Sequence, residues 1–227
     1  MPVWQLDERL IFPNPADAEP DGLLAIGGDL SIERLLLAYA SGIFPWFILD
    51  QEVYWFSPDP RCVLFPDALK ISKSMQQVLR KNIFRCSADV DFRAVITSCA
   101  AVPRREDAGT WIDQHFIDAY CAMHDAGYAH SIEVYAGDFL CGGLYGLRLG
   151  NFFFGESMFS TQANASKYAL IKLVEFLLRN NITCIDCQVY NDHLGSMGAV
   201  NIPRNTYLQM LQKAMPGDTP KDKWKLT

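Results

Sequence analysis

The sequence lacks the features that mark several large classes of protein. Its 227 residues contain no apolar run near the ~20 residues that a membrane-spanning helix needs, and the N-terminus MPVWQLDERL lacks the basic-then-apolar order of a secretion signal. There is no GxxxxGK[ST] or GxGxxG motif, so ATP hydrolysis and dinucleotide chemistry have no support. We therefore expect a cytoplasmic protein whose partners include no membrane.

Cysteine and histidine are too scattered to predict a disulfide framework or a metal site. Seven cysteines, an odd number, fit reduced thiols. Only Cys184 and Cys187 have CxxC spacing, no second pair completes a tetrahedral site, and in a strand the two would point to opposite faces. The four histidines show neither metal spacing nor an evident Ser or Cys partner. We expect no metal.

Apolar residues, by contrast, are plentiful. They make up 50% of the chain and aromatic residues 12%, which is enough for a sizeable core. Chains of about this length begin to divide into two domains with separate cores. The composition turns from acidic to basic near Pro58 to Pro60. We predict a small N-terminal domain at 1–60 and a larger domain at 61–227.

Helical and extended patterns alternate beyond residue 60. Helices are predicted for DALKISKSMQQVLRKN, DFRAVITSCAA, WIDQHFIDAYCAMHDAG and NASKYALIKLVEFLLRNN. Extended patterns occupy IFRCSADVD, ITCIDCQVYN and the Gly-punctuated run AHSIEVYAGDFLCGGLYGLRLGNFFFGESMF, which is typical of antiparallel strands. Earlier, a Pro- and Gly-rich stretch predicts turns, and Ser31 caps a helix that ends before Gly42. The class is α+β, or mixed-sheet α/β, with helices packed on a sheet.

The charge distribution leaves room for a nucleic-acid partner. The net charge of −6 argues against one, but residues 61–110 carry 9 basic and 5 acidic side chains, an excess of +4. A phosphate backbone would bind there despite the overall sign, although an ordinary solvated helix face explains the pattern equally well. The candidate contacts are Lys70, Lys73, Arg80, Lys81 and Arg85.

Glu156 is the one charge in the aromatic stretch NFFFGESMF. In a strand it would share a face with phenylalanine and methionine, and a buried lone carboxylate costs several kcal/mol unless it is paired. It therefore needs either a ligand or a structural partner. Arg148 or Lys167 would serve as that partner if Gly155 marks a bulge.

Asp186 and Gln188 form a second candidate, in CIDCQVYNDH. Both would project from one face of a strand whose other face is apolar, and a carboxylate beside an amide would orient it or help it take a proton. The alternative is an edge strand whose polar face is exposed to solvent.

Three tryptophans lie outside periodic core patterns. Trp46, Trp55 and Trp111 lie in segments bordered by Gly or Pro, where an indole ring is accessible for stacking on a planar ligand. Stacking on a nucleic-acid base is worth ~1–3 kcal/mol per base. Individually, core packing explains each of them better.

These stretches together resemble one family, the leucyl/phenylalanyl-tRNA–protein transferases. The resemblance runs in that family's order from Gly22 to Tyr207, through GLLAIGGDLS, GIFPWF, WFSPDPR, GTWI, AHSIEVY, GGLYG, GESMFS, NASK and IDCQVYNDHLGSMGAVNIPR. It implies a cytosolic bacterial enzyme with a small N-terminal domain and a GNAT-like acyltransferase domain, and we expect a monomer, although the sequence does not determine the oligomeric state. Such enzymes move Leu or Phe, less readily Met, from aminoacyl-tRNA to the N-terminal Arg or Lys of a protein, which marks it for degradation by the N-end rule.

The resemblance also implies roles for particular residues. An apolar pocket for the carried side chain would comprise Leu144, Phe153, Met158, Leu170 and Ile185. Trp46 and Trp111 would hold the terminal adenosine, and Glu156, Asp186 and Gln188 would bind the acceptor and catalyse. At the positions of Leu144 and Leu173 the family usually has methionine and phenylalanine, so the preference between Leu and Phe as the transferred residue stays open.

The expected mechanism needs no cofactor, because an aminoacyl ester is already activated. Asp186 would polarise Gln188, which positions and helps deprotonate the acceptor amine, while Glu156 pairs with the acceptor's cationic side chain. DNA is not an expected partner. A CoA-dependent acetyltransferase is the nearest alternative, but its Gln/Arg-x-x-Gly-x-Gly/Ala loop is absent. A noncatalytic tRNA- or peptide-binding module is the third hypothesis.

The C-terminal stretch MPGDTPKDKWKLT is predicted to be loosely ordered, with Trp224 as the residue that would dock.

Overall fold

A computed structural model describes residues 3–102, 112–215 and 219–226. Trp111 lies outside the described residues. The strands are β1 (Trp4–Leu6), β2 (Leu23–Gly27), β3 (Phe44–Leu49), β4 (Glu52–Phe56), β5 (Arg61–Leu64), β6 (Arg85–Ala88), β7 (Ala129–Ala136), β8 (Phe139–Leu149), β9 (Phe152–Ser160), β10 (Cys184–Gln188) and β11 (Val200–Ile202). The helices are α1 (Ile32–Ala40), α2 (Lys73–Lys81), α3 (Phe92–Ala100), α4 (Gln114–Asp125), α5 (Ala165–Arg179), α6 (Asp192–Ser196) and α7 (Arg204–Ala214).

The strands form two sheets of unequal size. The small sheet has the order β1-β2-β4-β3, and the large mixed sheet has the order β11-β5-β10-β9-β8-β7-β6. One apolar core joins them, with Leu24 and Trp55 from the small sheet and Phe154 from the large one. Because the chain leaves β4 at Phe56 and enters β5 at Arg61, the two sheets are connected by only four residues. A domain boundary at residue 60 stays a prediction.

The parallel pairing of β9 with β10 decides where the site lies. Cys184 pairs with Phe152 and Asp186 with Phe154, and the chain crosses between the two strands through α5, which packs on β7, β8 and β9. Beyond Asp186 the strands separate, since β10 ends at Gln188 while β9 continues beside β8 to Ser160. This separation leaves an opening in the middle of the sheet.

The predicted α+β class is confirmed, and several local signals were accurate. Ser31 accepts a hydrogen bond from the backbone N–H of Arg34 at the start of α1, and Gly42 beyond its end has φ +77°. Helix α2 begins at Lys73 rather than near Asp67, because Ser72 caps it there. None of the helices in the described ranges is long and apolar enough to span a bilayer.

The small sheet was missed. Its strands are short and lie in segments dense with Pro, Gly and Asp, which predicted turns. Pro45 is accommodated because β3 is an edge strand, where no ladder hydrogen bond is required of each residue.

Candidate active site

The opening between β9 and β10 holds a cavity of about 530 Å³. Aliphatic and aromatic side chains form most of its wall, and among them are all five residues assigned to a side-chain pocket: Leu144, Phe153, Met158, Leu170 and Ile185. Leu173 also lines it. A cavity of this size and character accepts an apolar side chain of Leu or Phe size.

A second cavity of about 300 Å³ adjoins the first. Strand β3 supplies Phe44, Pro45 and Trp46 to its wall, and the two cavities share Glu156, Cys187, Gln188 and Asn191. The partly buried Trp46 ring packs edge-on against Phe56 with centroids 4.8 Å apart. The small sheet therefore contributes a tryptophan to a space that opens beside the apolar pocket.

Glu156 lies where the two cavities meet, and neutral donors surround it. Its Oε1 accepts hydrogen bonds from the Tyr39 hydroxyl at 2.8 Å and from Gln188 Nε2 at 3.1 Å, and its Oε2 accepts one from the Tyr120 hydroxyl at 2.9 Å. The hydroxyl oxygens of Tyr39 and Tyr120 are also in close contact, but each has one proton, so neither donates to the other while both donate to Glu156. The suggested bulge is confirmed, since the β8–β9 register shifts between Tyr145 and Gly146, but the suggested partners Arg148 and Lys167 are wrong.

Burial sets the protonation of this cluster. Burial raises the pKa of Glu156 from 4.5 to about 7, and the two tyrosine hydrogen bonds lower it only in part. Burial, and then the charge of Glu156, raises the pKa of Tyr39 and of Tyr120 well above 10, so both hydroxyls stay protonated and donate. The carboxyl group is therefore poised to exchange a proton near neutral pH.

Asp186 is fully buried and does not line either cavity. Arg61 Nε donates to its Oδ1 at 2.8 Å and Arg61 Nη2 to its Oδ2 at 2.6 Å, and the Tyr207 hydroxyl donates to Oδ2 at 2.8 Å. Arg61 lies over the rings of Phe44 and Tyr207, at 4.8 and 4.6 Å from their centroids. This bidentate pair links the middle of β10 to the start of β5.

The contact between Asp186 and Gln188 is through the backbone. Asp186 Oδ1 accepts a hydrogen bond from the backbone N–H of Gln188 at 3.0 Å, while the Gln188 side chain bonds Glu156. Gln188 has φ +54°, in the left-handed region, and the β10–β5 register shifts between these two residues. Asp186 therefore stabilises an unusual backbone conformation that turns Gln188 into the cavity, rather than polarising its amide.

Two family models and two curated proteins that match this chain belong to one family. A model of the leucyl/phenylalanyl-tRNA protein transferase family matches residues 63–212, and a model of that family's N-terminal domain matches residues 28–59. The curated leucyl/phenylalanyl-tRNA–protein transferase of Thermodesulfovibrio yellowstonii is 50% identical over 99% of this chain and 91% of its own length. That of Desulforapulum autotrophicum is 48% identical over 100% of this chain and 99% of its own length.

The chain belongs to this family. It is therefore an aminoacyltransferase that takes aminoacyl-tRNA and protein as substrates, as the family name states. The resemblance that the sequence motifs indicated is confirmed.

The remaining candidates from the sequence have varied surroundings. The basic candidates Lys70, Lys73, Arg80, Lys81 and Arg85 are all exposed, on or beside α2 and at the start of β6. Arg61 lies in the same basic segment but is buried against Asp186. Trp55 is a core residue, which donates its Nε1–H to Gly27 O at 2.8 Å.

Sequence reasoning missed the residues that hold the acidic groups in place. Tyr39, Tyr120, Arg61 and Tyr207 come from four separate elements, and only Arg61 carried a signal, as a charge at the start of the apolar strand RCVL. In the described part of the chain, no three His, Cys, Asp or Glu side chains are grouped as a metal would require.

Proposed function

We propose that the protein transfers Leu or Phe, and less readily Met, from aminoacyl-tRNA to the N-terminal Arg or Lys of acceptor proteins, which creates an N-end-rule degradation signal. The observation that carries this proposal is the position of Glu156, an acidic group between an apolar cavity and a cavity walled by Trp46. Two substrates of opposite character, one apolar and one cationic, would meet there.

The apolar cavity would bind the carried side chain. Aliphatic walls such as Leu170 and Ile185 discriminate by size, and one methylene in such a pocket is worth only ~1–3 kcal/mol, so some methionine transfer is expected. In the neighbouring cavity, Trp46 would stack on the terminal adenosine, with Trp111 assigned to the same task.

Glu156 would bind the acceptor's cationic side chain. An ionised carboxylate offers about four lone-pair sites, and hydrogen bonds from Tyr39, Gln188 and Tyr120 occupy three of them. The remaining site on Oε2 is available to a guanidinium or ammonium N–H. A cation there would also lower the pKa of Glu156, so acceptor binding below pH 7 would release a proton.

Gln188 would position the attacking amine. Because its Nε2 donates to Glu156, its Oε1 is turned to accept an N–H of the acceptor's α-amine. The neutral amine attacks the ester carbonyl, the amide C–N bond forms, and the ester C–O bond breaks as the ribose oxygen leaves with a proton. No cofactor enters this step, and most of the rate would come from alignment of the two substrates. Asp186 would act through the backbone of Gln188.

The tRNA body would lie along the exposed basic residues of the segment from Lys70 to Arg85. Contacts to phosphate there predict salt-sensitive binding with little reading of tRNA sequence.

The test is to incubate the protein with radiolabelled Leu-tRNA and an Arg-starting peptide, without ATP or CoA. Transfer of label to the peptide is expected, with a Glu-starting peptide as the matched control. Stoichiometric binding without transfer would instead support the noncatalytic module. Thermal protection by acetyl-CoA, together with a lack of leucine transfer, would support the acetyltransferase.

A further inference from the structure

Residues 219–226 lie against the large sheet without forming a helix or strand. Thr219 Oγ1 accepts a hydrogen bond from the backbone N–H of Gly150 at 3.0 Å, and Lys221 Nζ lies 4.8 Å from the centroid of the Tyr128 ring. The expected docking of Trp224 is confirmed, since the side chain is only 4% exposed. This segment, the C-terminal strap, is thus attached at several points.

Buried polar and aromatic groups form the seat of Trp224, the site defined by Asp89, His130 and Phe176. Its backbone N–H donates to Asp89 Oδ2 at 2.7 Å, and Asp89 also accepts from His130 Nδ1 at 2.8 Å and from the backbone N–H of Ser131 at 2.9 Å. The indole stacks on His130 with centroids 4.0 Å apart and on Phe176 at 4.3 Å. Such a seat fixes the indole in one position.

The indole also contacts a wall of the apolar cavity. Phe153 lines that cavity, is fully buried, and has its ring centroid 5.6 Å from that of Trp224. On β8, a Cβ added to Gly146 would lie 2.6 Å from the Phe153 ring, so the β8 backbone closely confines that ring. Phe153 is therefore held between β8 and the strap.

We propose that Trp224 is a specificity-determining residue that sets the depth of the aminoacyl pocket by holding Phe153 in place. The proposal rests on the function proposed above, in which this cavity binds the carried side chain. Without the indole, the Phe153 ring retreats into the vacated volume and the pocket deepens. Larger side chains then gain affinity, and Leu loses contacts with the wall.

The test measures side-chain preference in Trp224→Ala, Trp224→Phe and Thr219→Val. The probes are three adenosines that carry a 3′-amide-linked Leu, Phe or Trp, titrated by calorimetry. For Trp224→Ala, the affinity ratio of the Trp probe to the Leu probe is expected to rise by about tenfold over the unsubstituted protein. Trp224→Phe should shift the ratio less in the same direction. Thr219→Val removes the hydrogen bond between the strap and Gly150 but keeps the indole, and should leave the ratio unchanged.

Two results would overturn the proposal. A ratio within about twofold of the original in both folded Trp224 variants would leave the indole as an anchor only. An equal shift in Thr219→Val would assign the effect to general loosening. If Trp224→Ala does not fold, Trp224→Phe decides alone, because it retains a ring in the seat. Failure of the unsubstituted protein to bind any probe would instead overturn the proposed function itself.

Discussion

Replacement of Glu156 by glutamine should change how stability depends on pH. Burial raises the pKa of this carboxyl from 4.5 to about 7, so the folded state favours the protonated form. A raised pKa contributes stability that is complete below pH 4.5 and is lost as the pH rises to about 7. Ionisation in the folded protein therefore costs about 3 kcal/mol relative to the unfolded chain.

Glutamine has nearly the same shape and cannot ionise. The difference in unfolding free energy between Glu156→Gln and the unsubstituted protein should therefore shift by about 3 kcal/mol in favour of the variant between pH 4.5 and about pH 8. Urea unfolding of both proteins at each pH measures it, and all other titrating groups cancel in the difference. A difference that stays constant with pH would refute the assignment of a raised pKa to Glu156.

Three further predictions concern the site and the tRNA contact. Asp186→Ala should lower the free energy of unfolding by about 3–5 kcal/mol, because Arg61 is left buried without its partner. Gln188→Ala should instead have nearly the original stability but a lower rate of single-turnover transfer. Equal stability of the two variants would contradict this. Isoleucine should be transferred about 10-fold or more slowly than leucine, because a slot for Leu and Phe restricts width near Cβ; equal rates in a paired assay would count against such a slot. Arg80→Ala and Lys81→Ala should each reduce the logarithmic salt slope of tRNA binding by about 1; unchanged slopes would place the tRNA elsewhere.

Local signals in the sequence predicted local structure well. Ser31 caps the helix that follows, as predicted, because a short side-chain oxygen next to an apolar periodic run satisfies an exposed backbone N–H group, and Ser72 and Asp91 cap α2 and α3 in the same way. Apolar periodicity alone placed the start of α2 too early, because the Pro-Asp turn at its predicted start forms a separate short 3₁₀ helix and Ser72 caps α2. Capping is decided within one turn of helix, so a single sequence contains the information.

The residues around the carboxylates could not be predicted in this way. Tyr39 and Glu156 are 117 residues apart, and Arg61 and Asp186 are 125 apart. Tyr39 looks ordinary in its own segment, since a tyrosine on the apolar face of a helix usually packs in a core. The pairing of β5 with β10 in the large sheet brings Arg61 to Asp186, and the packing of Tyr39 on α1 against Phe154 of β9 brings its hydroxyl to Glu156. The five residues assigned to the pocket do line one cavity, and the family resemblance, not hydrophobic periodicity, grouped them; their role in binding stays a prediction.

The pairing of Arg61 with Asp186 is consistent with the proposed role of Glu156 in binding a cationic substrate. Arg61 is a buried basic side chain close to both acids, but its guanidinium already donates to both oxygens of Asp186. That pair is neutral as a unit, and the negative charge of Asp186 raises the pKa of Glu156 while Arg61 lowers it to a smaller degree. Among the described residues, every hydrogen-bond donor to Glu156 is a neutral hydroxyl or amide. A carboxylate that is stabilised by dipoles alone gains most from an incoming cation, because the attraction is strong where water is excluded. These electrostatics support the proposed binding of a positively charged chain terminus beside the apolar cavity.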